Sequence, residues 1–301
     1  MPIRKIVIVL IFIIVGHNST AQDTTDIMGM LESEMLDAEK NKVQYTTATF
    51  KTTRLIDGHS VENVGRGVLD AKISHRFGKV NGGAYELFGL DNATMRMGLD
   101  YGITDKLMIG FGRSTFQKTL DAFLKYKILR QSTGKRNMPV TVSYVPTIAL
   151  VTQKFEDPLR KNFFSSRLSF THQLLVGRKF SENTSLQVMP GITHINMVPL
   201  ASDPNDLYHI GIGGRQKISR RVSINAEYYY QLPDYKLTGT TNAFSIGFDI
   251  ETGGHVFQLH FTNSQGMNER SFISGTTGEW SKGDIFFGFN ISRVFTVGKR
   301  K

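Results

Sequence analysis

The sequence predicts an all-β protein: a single antiparallel transmembrane β-barrel of twelve strands, preceded by a short N-terminal helix and a plug-like segment. Three observations predict it: a period-two alternation that recurs down to Val297, an export signal at the start of the chain, and connections sorted by length. The alternation is plainest from Ala93 to Ser114. Met95, Met97, Leu99, Tyr101 and Ile103 share one face, and Arg96, Gly98, Asp100 and Gly102 the other. After the Thr104-Asp105 turn, Leu107, Ile109 and Phe111 continue the apolar face and Gly110, Gly112 and Ser114 the polar one. Side chains alternate across a strand, so this is a ribbon with one greasy and one polar, small-residue face. In a soluble sandwich the greasy face is the core; in a membrane barrel it meets lipid and the polar face lines the lumen.

The elements follow in chain order. Arg4 and Lys5, the ten-residue apolar run Ile6 to Val15, and small residues at Ser19 and Ala21 read as a secretory signal over 1–21; the run is too short to span a bilayer as a helix. No cysteine is present, which excludes a lipoprotein anchor and a disulfide framework. In 22–64, Ile27, Met30, Leu31, Met35 and Leu36 fall at helical spacing among acidic residues, predicting an amphipathic helix over 25–40. The polar stretch 43–64 is too hydrophilic for a lipid-exposed strand. The expectation is that it folds into or across the lumen, with Arg54, Asp57, His59 and Ser60 as plug residues, the alternative being a periplasmic arm.

Within the barrel region 65–297, strands are expected at 66–78, 93–103, 106–114, 119–131, 139–150, 166–178, 184–194, 207–218, 222–232, 243–251, 254–263 and 284–297, with a basic tail at 298–301. Short turns follow the second, sixth, eighth and tenth; longer segments follow the first, fifth, seventh, ninth and eleventh; 115–118 and 132–138 depart mildly from the rule. Outer-membrane barrels have short periplasmic turns and longer external loops, so the sorting places both termini in the periplasm with an even strand count. Pro146 and Pro190 fall inside strands, where proline removes a ladder hydrogen bond; a bulge or the external rim is expected at each.

Without 1–21 the chain keeps 34 basic against 26 acidic side chains, a net charge of +8. For an exported chain without an aromatic-interleaved basic motif, this suits loops and rims beside anionic outer-membrane lipid, not nucleic acid. The non-lipid face carries Lys72, Arg76, Arg96, Lys125, Lys127, Arg167, Arg215 and Lys217 against Asp70, Asp100, Asp121, Glu227, Asp249 and Glu251. A channel selective for one sign of ion would show a one-sided ring. Near balance instead predicts ion pairs lining or filling a narrow lumen.

Catalytic patterns are weak. Ser74 and His75, like His59 and Ser60, are adjacent and so point to opposite faces; His260 and Thr262 share a face, but threonine stands where a nucleophilic serine would be needed. His255 and His260 face opposite ways, so no metal set forms, and no cofactor is expected. Trp280, with Met267 and Phe272 nearby in the longest loop, reads as an interfacial anchor. The chain is expected not to be an enzyme. It reads as a narrow or gated channel for a small solute, or as a scaffold barrel that binds a partner through its loops or periplasmic N-terminus.

Several phrases carry a resemblance. They are Thr49-Phe50-Lys51-Thr52-Thr53-Arg54-Leu55-Ile56, Gly67-Val68-Leu69-Asp70, Ile73-Ser74-His75-Arg76-Phe77-Gly78, Tyr85-Glu86-Leu87-Phe88-Gly89-Leu90-Asp91 and Leu129-Arg130-Gln131-Ser132-Thr133-Gly134. Asp249 to Leu259 and Gly288-Phe289-Asn290-Ile291-Ser292-Arg293 complete the set. Over 45–297 the chain resembles a domain-of-unknown-function family of outer-membrane β-barrels from Gram-negative bacteria. The resemblance implies fold and location; it brings no substrate and no site residues.

Overall fold

The computed structural model describes residues 24–155, 159 and 161–297. The expected signal peptide and basic tail lie outside the described residues. Two units are distinct. The first contains helix α1 (Thr24–Lys40), one residue longer than its periodicity predicts.

The second unit is a closed twelve-strand meander. Its strands are β1 (Val68–Lys79), β2 (Ala93–Gly102), β3 (Leu107–Ser114), β4 (Thr119–Leu129), β5 (Thr141–Val151), β6 (Leu168–Lys179), β7 (Thr184–Ile195), β8 (Asp206–Lys217), β9 (Val222–Gln231), β10 (Ala243–Thr252), β11 (His255–Thr262) and β12 (Phe286–Thr296). Each pairs antiparallel with its sequence neighbours, and β12 closes on β1. Closure leaves no sheet edge, which is how a sheet satisfies its backbone in lipid. Leu99, Ile109, Leu124 and Phe248 face outward and are exposed, while Asp100, Gly110, Lys125 and Asp249 face in. An apolar outside around a polar inside is the inverse of a soluble fold.

Two expectations are corrected here. Pro146 and Pro190 sit neither at a bulge nor at a rim. Pro146 pairs with His172 in a regular β5–β6 ladder, and Pro190 with Ile210 in a regular β7–β8 ladder. On the opposite side, each leaves a two-residue gap in an unshifted register: the pairs resume at Phe123 with Thr147 and Tyr126 with Tyr144, and at Gln173 with Gly191 and Val176 with Val188. Losing one donor therefore opens one ladder locally and leaves the register unshifted. The bulges lie elsewhere, between Lys127 and Leu129 and between Phe286 and Gly288.

The connection 130–140 is long because it carries a strand of its own. Ser132–Gly134 pairs with Val43–Tyr45, and the Thr46 amide donates to the Gln131 carbonyl at 2.9 Å. This ribbon lies at the short-turn end of the barrel. There the chain turns inward.

Candidate functional site

The barrel interior is occupied from both ends. From the short-turn end, residues 46–66 enter as a hairpin. Its arms are bridged at Arg54 and His59, and its tip is the turn Leu55-Ile56-Asp57-Gly58, closed by the Leu55 amide donating to the Gly58 carbonyl at 2.8 Å. It leaves past Gly102, where a Cβ would collide with the backbone of Val64 and Gly65. Glycine at 102 is what lets the exit strand lie on the wall.

The wall grips this hairpin chiefly by its backbone. Lys125 Nζ donates to the carbonyls of Thr53 and Ser60, both at 2.8 Å, and of Glu62 at 3.0 Å. Glu227 accepts from the amides of Asp57 at 2.7 Å and Gly58 at 3.2 Å. Gln187 accepts from the Val61 amide at 2.8 Å and donates to the His59 carbonyl at 2.7 Å. Gln258 donates to the Leu55 carbonyl, and Asn290 to that of Ile56 at 3.1 Å. Lys72, paired with Asp100 at 2.5 Å, also reaches Thr53. A buried segment without its own ladder needs partners for its amides and carbonyls, and the charged lumen residues supply them.

From the opposite end, the longest loop, 263–285, folds into the lumen. Its helix α2 (Glu269–Ser274) is capped by Asn268, whose side chain accepts from the Ser271 amide. Two residues of the loop, Met267 and Phe272, are buried inside the barrel. Trp280, half-buried, donates from Nε1 to the Phe244 carbonyl at 3.1 Å and packs edge-on against the Phe244 ring. Phe272 and Ile273 share one apolar cluster with hairpin residues Phe50, Leu55, Val61 and Val64 and inward wall residues Met108, Phe123, Val145, Leu175, Met189 and Tyr229. The lumen therefore has a hydrophobic core as well as a polar lining. At the loop's far end, Lys79 and Asn81 donate to Asp284 at 2.8 and 2.9 Å and the Glu279 amide adds a third bond. In that order they hold the Asp284 carboxyl down to about 2.

Of the residues singled out from the sequence, Lys72, Arg76, Arg96, Asp100, Asp121, Lys125, Lys127, Arg215, Glu227 and Asp249 are buried on the inward face, as are Arg54, Asp57, His59 and Ser60 in the hairpin. Arg96 pairs with Asp121 through two nitrogens, and Arg76 with Asp57 at 2.8 Å. Three residues lie elsewhere. Arg167 ends a 3-10 turn on the long-loop rim, donating to the Val151 and Gln153 carbonyls and stacking over Phe155. Lys217, half-buried, and Glu251 sit at the short-turn mouth, where Glu251 pairs with Lys51 at 2.5 Å. His260 lies 2.9 Å from an Arg76 nitrogen, and Thr262 bonds Ser245, so that pair serves the packing network. Among the described residues, no group of three or more side chains could hold a metal ion.

An internal cavity of about 20 Å³ lies among Thr52, Arg54, Lys72, Gln258 and Asn290, room for about one water. A cleft of about 430 Å³ opens at the long-loop end between Tyr230, Pro233, Lys236, Thr238 and Asn242.

A family model described as a membrane bound beta barrel domain (DUF5777) matches residues 50–295. No curated protein sequence matches the chain. Among solved structures, an outer membrane channel from Pseudomonas putida F1 is similar over 78% of this chain and 98% of its own, at 14% identity and a TM-score of 0.47. The outer membrane protein Omp33 of Acinetobacter baumannii is similar over 75% and 97%, at 8% identity and a TM-score of 0.38. LpxR from Salmonella typhimurium is similar over 76% and 100%, at 10% identity and a TM-score of 0.35.

Proposed function

The chain belongs to the family of membrane bound beta barrel domains of unknown function, and from that premise we propose that it is a passage for small polar solutes across the outer membrane, held shut at rest by its N-terminal hairpin. The outer-membrane setting is supported by the export signal at 1–21, the outward apolar face, the even strand count and the sorting of short turns to one end.

One observation carries the passage: what closes the barrel, a hairpin and a loop, is no part of its strand ladder, and the wall behind it carries charged and polar side chains beside its apolar ones. With 46–64 withdrawn, Lys72, Arg76, Asp100, Lys125, Gln187 and Glu227 would face water from a closed ring of strands that needs none of the hairpin's backbone. Both signs of charge are present, so the open state favours neither cations nor anions. His209, buried on β8 with neither ring nitrogen partnered, adds a polar position to that wall.

The scaffold reading keeps one specific support. Phe50, Leu55 and Val61 are buried in the apolar cluster, which favours a hairpin that stays in place. Swelling of proteoliposomes in small sugars and salts separates the two. Gly58 lies against Tyr229, whose hydroxyl a Cβ would strike, so Gly58→Val displaces the tip. The passage reading expects slow swelling with the unaltered chain and fast swelling with Gly58→Val, for charged and uncharged solutes alike. No swelling with either, in a folded barrel, would favour the scaffold.

A further inference from the structure

The hairpin and the longest loop enter from opposite ends of the barrel, yet they meet in a buried ion pair. Glu269 of α2 is buried, and the charged or imidazole partners it contacts are both on the hairpin: Arg54 at 2.7 Å and His59 Nε2 at 3.3 Å. Arg76, on the wall, bridges the two elements. One of its nitrogens donates to Asp57 of the hairpin at 2.8 Å, and the other to the loop carbonyls of Ser264 at 2.7 Å and Gly266 at 3.3 Å. Phe272 and Ile273 complete the apolar cluster that also holds Phe50, Leu55 and Val61.

We infer that the hairpin and the loop form one two-part latch, so that drawing either out from its own end of the barrel releases the other. The inference rests on the reading of a passage closed at rest and assigns its regulation. A buried carboxylate stripped of its cations is far costlier than one in water. When the hairpin leaves, Glu269 loses both of the side chains that tie α2 to it, and the loop is held inside the barrel less firmly. When the loop leaves, Arg54 loses its carboxylate and the hairpin loses two members of the apolar cluster it shares with the loop. Coupling of this kind is reciprocal: whatever factor the loop's release contributes to hairpin exposure, the hairpin's release contributes to loop exposure. An event at the loop is thereby felt at the hairpin, on the other end of the barrel.

The absence of cysteine makes the test direct. Ser60→Cys reports on the hairpin and Ser274→Cys on the loop, both at buried positions. Each is made separately in the full chain, and maleimide labelling rates are read in detergent micelles. Gly58→Val perturbs the hairpin. Gly266→Val perturbs the loop, because a Cβ there overlaps Ser271. The latch predicts that either perturbation raises labelling at both reporters by about tenfold or more, with matching factors. If each perturbation exposes only its own segment, the latch is wrong and the wall clamps hold the two elements independently.

Folding is checked by the heat-dependent gel mobility of the barrel. Should the glycine variants fail that check, a charge exchange decides. Arg54→Glu should expose both reporters, and Arg54→Glu with Glu269→Arg should restore protection at both; exposure of the hairpin reporter alone would overturn the proposal. Conductance recorded on the same variants separates this from the passage itself. Joint exposure without current leaves the latch standing and removes the passage. Current with the loop reporter still protected does the reverse.

Discussion

Arg54 shows how much one side chain can hold: it donates to the Asp57 carbonyl at 2.6 Å within its own hairpin and to Glu269 at 2.7 Å across the lumen. Arg54→Met strands the Glu269 carboxylate, and breaking a buried pair from one side costs about 3–5 kcal/mol. The midpoint for urea unfolding of the barrel should fall accordingly, and Glu269→Gln added to Arg54→Met should recover part of the loss. At the rim, Asp284 sets a pH limit. Its carboxyl is held at about 2, below its ordinary value of about 4, so its tie to Lys79 and Asn81 is fully present above pH 4 and is lost as pH falls toward 2. Limited pepsin digestion should find the end of the loop protected at pH 5 and opened between about pH 4 and pH 2; Asp284→Asn should remove that step. The charged lumen residues were legible because strand parity alone assigns a face. Gln187, Gln258 and Asn290 were not singled out, since an amide on a polar face looks like any other lining residue until a backbone is found opposite it. Arg167 was misplaced for a different reason: it lies one residue before β6 begins, where parity no longer applies.

At the scale of elements, the strands were read from alternation to within a few residues, because burial on one side and lipid on the other leave period two no competitor. The outward face predicts a depth dependence. Leu99→Arg, mid-strand on β2, should cost about 2–4 kcal/mol in folding into vesicles, and Ile128→Arg, near the end of β4, about 1 kcal/mol or less. Equal costs at the two positions would mean that the apolar band does not coincide with the bilayer. The prolines were misjudged because a missing donor was taken to demand irregular geometry. In a closed ladder with two neighbours per strand, the loss falls on one side only, and the register survives. The loop at 263–285 was the larger omission. Its signal was present: Asn268 stands as an N-cap before Ser271, Phe272 and Ile273, which makes a short capped helix with a large apolar payload in the middle of what length alone marks as an external loop. Length sorted the connections by end but carried no information on whether a connection turns outward or in.

The whole molecule is a barrel whose inside is packed like a protein core, with buried charges satisfied by a segment that is not part of the wall. Fold and faces follow from local alternation, whereas the packing of the lumen depends on contacts between residues far apart in the chain, such as Arg54 with Glu269 and Glu227 with Asp57. Those contacts leave no periodic trace in sequence. On the proposed reading, residues 46–64 are what shut the barrel. Single-channel recording in planar bilayers, comparing the full chain with a chain lacking 22–64, tests it most directly. A silent or rarely opening full chain is expected, and a truncated barrel with steady conductance and little preference between cations and anions. A truncated barrel that folds, inserts and remains as silent as the full chain would contradict it.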